Sequence, residues 1–298
     1  MVSNKSKSVL NLSDINHIEI EINTNCNWRC DYCPVKFNAP KTKYMSMDLF
    51  DKILDKVKNL PKLKYISLNF YNEPTLDKFF VDRIEKIRAI QKRLILFTNA
   101  SMLNYQKINL LEDSKIVEII KINLPSIEEK EFIRITGSTT FHQTLKNIKE
   151  IILRGFVVEI LVNGTMDEIK KNYPIIEKYF VKFKNVKVLK VLTTDRAGLL
   201  NNKYAMNYMY RSKLNGCIQI RRLCIDINGD FLLCSMDYNK KYILGNINDG
   251  RMKEIIYSEK AQHIYNQVYG KEQVTDDFIC KKCFAATFSK IFNKANEI

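Results

Sequence analysis

The sequence predicts an α/β fold, a partial (β/α)6 TIM-like barrel followed by a small C-terminal α+β domain. Six short β-branched runs alternate with amphipathic helical patterns between residues 17 and 205, which is typical of a parallel sheet with right-handed crossovers. Beyond about Met206 the pattern changes to a hairpin followed by helical stretches. An open doubly wound sheet would show the same alternation, and in either fold the functional residues lie at the carboxyl ends of the strands.

The six predicted strands are separated by segments long enough for a helix. They are His17–Ile22, Tyr65–Phe70, Arg93–Thr98, Glu118–Leu124, Val157–Val162 and Val186–Leu192. Apolar residues recur every three or four positions over 49–57, 141–152 and 169–180, which predicts three of the helices. Ser46 is a candidate N-cap of the first helix, and Pro174 weakens the prediction of the third.

The C-terminal region opens with a hairpin pattern. Two largely apolar runs, 223–227 and 231–234, flank the turn residues Asn228, Gly229 and Asp230, and such a pair predicts two antiparallel strands. The chain therefore divides into an N-terminal tail (1–16), a barrel core (17–205) and a C-terminal domain (206–298).

Composition and charge narrow the function classes. Lys and Arg number 48 against 33 Asp and Glu, a net charge of +15, yet acidic residues are interleaved and no long basic block occurs. The excess therefore resembles a Lys-, Asn- and Ile-rich composition more than a nucleic-acid surface. No apolar segment precedes residue 17, and the apolar run 156–162 is far shorter than the about 20 residues that a membrane span needs. These features predict a cytoplasmic protein without membrane contact.

The eight cysteines are the strongest functional signal. A cytoplasmic location keeps thiols reduced, so they indicate metal binding or catalysis rather than disulfides. Cys26, Cys30 and Cys33 follow the first strand with C-x3-C-x2-C spacing. Three thiolates can hold three irons of a [4Fe–4S] cluster and leave the fourth iron open, whereas a structural zinc site usually takes four protein ligands. An incomplete zinc site is the alternative.

With the aromatic Tyr32 before its last cysteine, this motif resembles that of the radical S-adenosylmethionine (SAM) superfamily. The resemblance implies that Cys26, Cys30 and Cys33 hold a [4Fe–4S] cluster whose open iron binds SAM. It also implies that one electron from the cluster cleaves SAM to a 5′-deoxyadenosyl radical, which abstracts a hydrogen atom from an unactivated C–H bond. The expected partners are a substrate and an electron donor such as flavodoxin or ferredoxin.

Further residues at strand ends resemble the superfamily's SAM-binding positions. The run 71–74, Tyr-Asn-Glu-Pro, resembles the Gly-Gly-Glu-Pro motif that holds the SAM amino group, but both glycines are replaced. The run 98–100, Thr-Asn-Ala, resembles Thr-Asn-Gly. The implied cofactor-binding residues are Tyr32, Asn72, Glu73, Asn99, Asn123, Arg134 and Asn163, with Arg134 paired to the SAM carboxylate. Taken singly, an asparagine at a strand end is also a common turn former, and an arginine is commonly solvated.

Four cysteines of the C-terminal region form a second group. Cys217 precedes the hairpin, Cys234 ends it, and Cys280 and Cys283 form a C-x2-C pair. This order resembles the twitch domain, a shortened form of the SPASM domain that follows some radical SAM cores. The resemblance implies one auxiliary [4Fe–4S] cluster with four cysteine ligands, and a structural zinc site is the alternative.

Two residues are candidates for the catalytic step itself. Arg196 follows the sixth strand, where it can face the pocket and contact an anionic or hydroxylated substrate; a helix-capping or surface role is the alternative. Cys224 lies inside the first strand of the hairpin. It is either a small buried hydrophobic residue or a hydrogen-atom donor that quenches a substrate radical, as in radical peptide epimerases.

Three functions are open on this sequence. The first is a dehydrogenase of a sugar, cyclitol or related small molecule, with the auxiliary cluster accepting an electron from the substrate radical. The second is a maturase that crosslinks or epimerises a ribosomally made peptide. The third is a non-catalytic iron–sulfur or zinc protein that binds nucleic acid. Many peptide maturases carry an N-terminal recognition domain, and a first strand at His17 leaves no room for one, so we expect the dehydrogenase.

Overall fold

A computed structural model describes residues 10–200 and 213–287, and one mixed sheet runs through both ranges. Nine strands occur in these ranges: β1 (His17–Ile20), β2 (Tyr65–Ser67), β3 (Arg93–Thr98), β4 (Val117–Asn123), β5 (Val158–Gly164), β6 (Val186–Leu192), β7 (Arg222–Ile225), β8 (Asp230–Leu232) and β9 (Ile243–Asn246). Their order across the sheet is β6-β5-β4-β3-β2-β1-β7-β8-β9. Strands β1 to β6 are parallel, which confirms the predicted barrel-type α/β core.

Helices connect the strands and cover the outer face of the sheet. In the described ranges they are α1 (Met47–Val57), α2 (Phe80–Ala89), α3 (Tyr105–Ser114), α4 (Glu129–Thr136), α5 (Phe141–Leu153), α6 (Met166–Phe180), α7 (Met252–Ile256), α8 (Glu259–Val268) and α9 (Phe284–Thr287). The Ser46 hydroxyl accepts a hydrogen bond from the Leu49 amide at 3.2 Å, which confirms the predicted N-cap of α1. Helix α6 continues through Pro174, because the buried face formed by Ile169, Ile176 and Phe180 compensates for the lost backbone hydrogen bond.

Alternation along the parallel strands separates a hydrophobic outer face from a polar interior. On β1, Ile18 and Ile20 are fully buried under the helices, while Glu19 between them points to the other face. On β4, Ile120 and Ile122 are likewise fully buried, and Lys121 points inward. Each such isoleucine contributes about 1.5–3 kcal/mol by burial, so the outer face sets the strand register and thereby aims the polar residues into the barrel.

The C-terminal strands extend the sheet of the barrel rather than forming a separate one. Strand β7 pairs with β1 in parallel register, with Glu19 opposite Cys224. Strands β8 and β9 follow in antiparallel pairing, as the hairpin pattern predicted. Gly229 lies at the hairpin turn with φ +85°, a backbone conformation that favours glycine. Among the described helices, none combines the length and the apolar character that crossing a membrane requires.

Candidate active site

The first three cysteines lie in a loop that follows β1, residues 24–33, here called the cysteine loop. Backbone bonds attach this loop to the end of α4: the Arg29 amide donates to the Thr136 carbonyl at 2.8 Å, and the Asp31 amide donates to the Ile135 carbonyl at 2.9 Å. The Cys33 amide also donates to the Cys30 carbonyl at 2.9 Å. These backbone hydrogen bonds hold the cysteine loop against the end of α4.

The buried Trp28 side chain packs the cysteine loop against α4 and the residue before α5. Its side chain is 2% exposed, its indole nitrogen donates to the Thr140 hydroxyl at 3.2 Å, and its ring packs edge-on against Phe132 at 5.0 Å. The Arg29 guanidinium donates to the carbonyl oxygens of Cys26 and Trp28 at 2.5 and 2.8 Å. This packing fills the space behind the thiols and keeps them facing one side.

The three thiols share one cavity of about 380 Å³ at the carboxyl ends of the strands. Burial, then Glu73 and Cys33, raises the pKa of Cys26 to about 12, and burial followed by its two neighbouring thiols raises that of Cys30. Within residues 10–200 and 213–287, no three His, Cys, Asp or Glu side chains are gathered as they would be around one metal ion. Donor type, burial and mutual repulsion fit a group whose positive charge stabilises thiolates, as iron does in a [4Fe–4S] cluster.

Glu73 joins the ends of β2 and β3 to the cysteine loop. It is 2% exposed, and burial raises its pKa against the effect of its hydrogen bonds. Its Oε1 accepts from the Thr75 amide at 3.1 Å and from the hydroxyls of Thr75 and Thr98 at 2.6 and 2.7 Å. Its Oε2 accepts from the Asn99 amide at 2.7 Å. The Glu73 amide donates to the Asn25 carbonyl at 2.8 Å, so the backbone of this residue holds the cysteine loop while its carboxylate holds the ends of β2 and β3.

Two residues replace the glycines that the resemblance led us to expect before Glu73. Neither Tyr71 nor Asn72 is among the described residues with a left-handed backbone, so a side chain is sterically allowed at both positions. The Asn72 side chain bridges its own turn, donating to the Leu68 carbonyl at 3.1 Å and accepting from the Phe70 amide at 2.8 Å. Tyr71 packs edge-on against Tyr238 at 4.8 Å, and both Tyr71 and Asn72 line the cavity.

The predicted asparagines meet at the same edge of the sheet. Asn163 Nδ2 donates to Asn123 Oδ1 at 2.5 Å, and the Tyr32 hydroxyl donates to the same oxygen at 3.0 Å. Asn99 Nδ2 donates to Asn27 Oδ1 at 2.9 Å in the cysteine loop, and Ala100 after it has φ +60°. Tyr32, Asn99, Asn123 and Asn163 all line the cavity. The strand-end positions that the sequence singled out therefore form one wall.

Two of the predicted site residues, Arg134 and Cys224, do not line this cavity. The Arg134 guanidinium points away from it and pairs with Glu131 and Glu168, both at 2.9 Å, and with Asp31 at 3.5 Å. Cys224 is 2% exposed and donates from Sγ to Glu19 Oε2 at 3.2 Å. Glu19 lines the cavity, whereas Cys224 contacts Glu19 and does not itself line the cavity.

Arg196 lines the cavity, as predicted for a residue after β6. Burial raises the pKa of Cys33 and of Cys283, and the positive charge of Arg196 opposes that shift in both thiols. Arg196 is therefore close enough to both cysteine groups for its charge to reach each of them. Its Nε is buried without a partner within the described residues, and its backbone is left-handed at φ +52°.

Sequence reasoning missed the polar floor of the cavity. Glu19, Asn69, Lys121 and Arg222 line it together; Arg222 Nη1 lies 3.8 Å from Glu19 Oε1, and Asn69 Oδ1 is buried with no partner in the described part of the chain. The available signal was the charged residue inside an apolar strand, as in the isoleucine–glutamate alternation of β1, which places a charge on the inner face.

The C-terminal cysteines form a second buried thiol group. Burial, then Cys234, Cys283 and Cys217, raises the pKa of Cys280, so the four thiols lie within electrostatic reach of one another. Burial raises the pKa of Cys217 to about 11. Four buried, mutually repelling thiols fit a cationic centre with four thiolate ligands.

Comparisons with known proteins agree with this geometry. A family model described as the radical SAM superfamily matches residues 20–169, and a model described as an iron–sulfur cluster-binding domain, SPASM, matches residues 217–284. The S-adenosyl-L-methionine-dependent 2-deoxy-scyllo-inosamine dehydrogenase of Niallia circulans is 22% identical over 270 residues, covering 89% of this chain and 91% of the relative.

Two solved structures share the fold. BtrN in complex with AdoMet and 2-DOIA has a TM-score of 0.61 at 18% identity, with 92% of each chain covered. Streptococcus suis SuiB bound to the precursor peptide SuiA has a TM-score of 0.69 at 16% identity, covering 94% of this chain and 73% of that one. Because the first family model spans half of the chain and includes the cysteine loop, the chain belongs to the radical SAM superfamily: it is a radical SAM enzyme with a SAM-binding [4Fe–4S] cluster and a SPASM-type auxiliary iron–sulfur region.

Proposed function

We propose that this enzyme oxidises a small polar alcohol of the sugar or cyclitol kind, with the auxiliary cluster as electron acceptor. Membership of an enzyme superfamily removes the non-catalytic hypothesis. The observation that carries the proposal is Arg196, which lines the cavity and whose charge reaches Cys33 and Cys283. A substrate held by Arg196 would therefore lie between the two thiol groups.

Each side chain then has a defined task. Cys26, Cys30 and Cys33 would hold the cluster that binds SAM, and Cys217, Cys234, Cys280 and Cys283 would hold the auxiliary cluster. When bound, SAM and its cluster supply the radical that removes a hydrogen atom from carbon. The wall of Tyr32, Asn72, Glu73, Asn99, Asn123 and Asn163 would position SAM, while Arg134, paired with three carboxylates, would act at most from outside the cavity.

The polar floor suits a polyhydroxylated ligand. Arg196 Nε needs an acceptor and Asn69 Oδ1 needs a donor, and a hydroxyl group can serve either. Phe97 and Leu161 add apolar wall to the same cavity. Glu19, whose pKa burial raises, is the carboxylate placed to accept the hydroxyl proton when an alcohol becomes a ketone.

A peptide substrate is the second candidate, and one observation favours it. A smaller groove of about 160 Å³ shares Phe70 and Tyr71 with the main cavity and continues past Pro40 and Tyr238, so an extended chain could reach the site. In an epimerase, Cys224 would be the hydrogen-atom donor, and Glu19, which now accepts its S–H, would have to move so that the thiol meets the substrate radical directly. Under either candidate, we propose that the chain divides into a core (17–205) and an auxiliary domain (206–298). The spans of the two family models support this division.

The test begins with anaerobic reconstitution of the wild type, a Cys26→Ala/Cys30→Ala/Cys33→Ala variant and a Cys280→Ala/Cys283→Ala variant. We expect about eight irons in the wild type and about four in each variant. Cleavage of SAM by dithionite should vanish in the first variant and persist in the second. About four irons in the wild type, with stoichiometric zinc, would remove the auxiliary oxidant and contradict the dehydrogenase.

Substrate class is tested with Arg196→Lys, which keeps the charge but loses the guanidinium. With an aminocyclitol panel and a tyrosine-rich peptide panel as probes, the ratio of oxidised product to 5′-deoxyadenosine should fall about 10- to 100-fold in the variant, because a hydrogen bond to a charged group contributes about 1.5–3 kcal/mol. Iron content should be unchanged. The matched control is Arg251→Lys, an arginine on the surface. If the wild type modified the peptides and none of the aminocyclitols, the result would favour the maturase.

A further inference from the structure

An exposed basic loop follows the cysteine loop directly. Every residue from 36 to 44 is exposed, and this segment, here called the basic loop, contains Lys36, Lys41 and Lys43 but no acidic residue. Two aromatic side chains stand out from it, with Phe37 66% exposed and Tyr44 37% exposed. Lys78 adds a further cation 5.3 Å from the centre of the Tyr44 ring. Exposed aromatic residues among several lysines are more typical of an interaction surface than of an inert one.

Both ends of the basic loop lie close to the cysteines that would hold the SAM cluster. The loop begins three residues after Cys33. At its far end the Thr24 amide donates to the Lys43 carbonyl at 3.1 Å, and the Lys43 amide donates to the Thr24 hydroxyl at 2.9 Å. Thr24 is two residues from Cys26, a separation of at most about 7 Å along the chain. The surface therefore lies directly outside the cysteine loop.

The charge of this surface is available to a partner. Lys36 forms an ion pair with Asp31, but Lys41 and Lys43 have no ion pair within residues 10–200 and 213–287. The backbone of the loop is nevertheless held in place, because the Thr24 hydroxyl donates to the Lys41 carbonyl at 2.6 Å and the Tyr238 hydroxyl donates to the Asn38 carbonyl. An ordered backbone that presents free lysines pays little conformational entropy on binding.

We propose that the basic loop is the docking surface for an acidic one-electron carrier protein of the flavodoxin class. The inference rests on the proposed function, which requires an external reductant. The step is a one-electron transfer: the reduced flavin of the carrier loses one electron, the cluster held by Cys26, Cys30 and Cys33 gains it, and no bond forms or breaks. Phe37 and Tyr44 suit the apolar edge of a flavin ring, and the lysines attract the acidic surface around it.

The test compares two charge reversals of equal size. Lys41→Glu/Lys43→Glu changes the basic loop, and Lys182→Glu/Lys184→Glu changes two exposed lysines with the same spacing in the connection from α6 to β6, at the opposite end of the barrel. Each reconstituted protein is mixed with an acidic flavodoxin. Affinity is measured by calorimetry, and oxidation of the flavodoxin hydroquinone is followed by stopped-flow absorbance. SAM cleavage driven by dithionite is measured in parallel.

We expect the basic-loop variant to lose affinity and electron-transfer rate by about 10-fold or more, with the difference shrinking as salt rises. The Lys182/Lys184 variant should match the wild type, and dithionite-driven cleavage should be equal in all three proteins. Equal flavodoxin affinity in both variants would overturn the docking proposal. So would a basic-loop variant that still oxidises the flavodoxin hydroquinone at the wild-type rate but loses affinity for an acidic substrate peptide. Loss of dithionite-driven cleavage in the wild type would instead refute the proposed function.

Discussion

The Tyr32 hydroxyl lies 3.0 Å from Asn123 Oδ1 and donates a hydrogen bond to it, across 91 residues of sequence. Asn163 Nδ2 approaches the same oxygen at 2.5 Å. One acceptor at the end of β4 therefore joins the cysteine loop to the end of β5. This arrangement couples the placement of the cysteines to the wall that would position SAM, and it makes several predictions possible.

Replacing Tyr32 with Phe removes the hydroxyl and leaves the ring in place. We expect the variant to load the same amount of iron, because no thiol is changed, and to bind SAM several-fold more weakly. The hydroxyl also accepts from Asn123 Nδ2 at 2.6 Å, so two hydrogen bonds are lost and the free energy of unfolding should fall by about 1–3 kcal/mol. Anaerobic calorimetry with SAM and urea unfolding measure the two effects. Tyr173→Phe is the control, since its hydroxyl pairs with Glu177 on the surface; equal SAM affinity in both variants would contradict the coupling.

Replacing Glu73 with Gln tests the positioning carboxylate. An amide cannot accept from the Thr75, Thr98 and Asn99 donors on both of its ends, because one end becomes a donor itself. We expect the free energy of unfolding to fall by roughly 2–4 kcal/mol, since buried donors lose their acceptor. The control Glu150→Gln removes a half-exposed partner of Arg154 and should cost no more than about 0.5 kcal/mol. If Glu73→Gln lowered the free energy of unfolding by as little as the control does, the positioning role of this carboxylate would be refuted.

His17 should make stability depend on pH. Burial, followed by the charges of Arg222 and Lys121, lowers its pKa from 6.5 to about 3, while its ring bonds to the Ser67 hydroxyl at 2.9 Å. The folded protein therefore keeps the imidazole neutral where the unfolded chain protonates it, and stability is lost as pH falls from 6.5 towards 3. Between pH 7 and pH 5 the wild type should lose about 2 kcal/mol more than His17→Gln.

The measurement for His17 is urea unfolding at several pH values, with His142→Gln as the control. The His142 side chain is 80% exposed, so this variant should follow the wild-type pH dependence. Carboxylates titrate in all three proteins and cancel in the comparison. If His17→Gln and the wild type lost stability in parallel over this range, the buried neutral imidazole would be disproved.

Gly229 and Gly155 offer a matched pair of left-handed glycines. Both have positive φ, +85° and +80°, but a Cβ at Gly229 would lie 2.7 Å from Ile247 Cγ2, whereas nothing lies within 4 Å of a Cβ at Gly155. Gly155→Ala should therefore show only the backbone cost of about 1–2 kcal/mol. Gly229→Ala should lose about 1–3 kcal/mol more through overpacking. Urea midpoints at constant m-value measure the difference, and equal losses would show that Ile247 moves aside freely.

Local signals in the sequence were sufficient for the elements and the thiols. Short runs of branched apolar residues predicted strands such as β3 and β6 with the bounds that the structure shows, because such runs bounded by polar segments specify both the type and the length of a strand. The spacing of the first three cysteines needed no tertiary information, since one short loop presents all three thiols. The four C-terminal cysteines instead lie on segments spread over residues 217–283 that the fold brings together. The fold class and the superfamily followed from these two kinds of pattern.

The tertiary structure decided which distant residues share the cavity. Arg134 was predicted to face SAM, yet three carboxylates from separate segments hold it outside; no sequence spacing reports that competition. Arg222 was not predicted, although it lines the floor, because only the pairing of β7 with β1 brings its guanidinium beside Glu19. The sequence by itself therefore determined the strands and helices through short-range periodicity and the first thiol group through its spacing. Only long-range strand pairing decided which polar side chains surround the substrate space, because inward orientation depends on register and closure of the whole sheet.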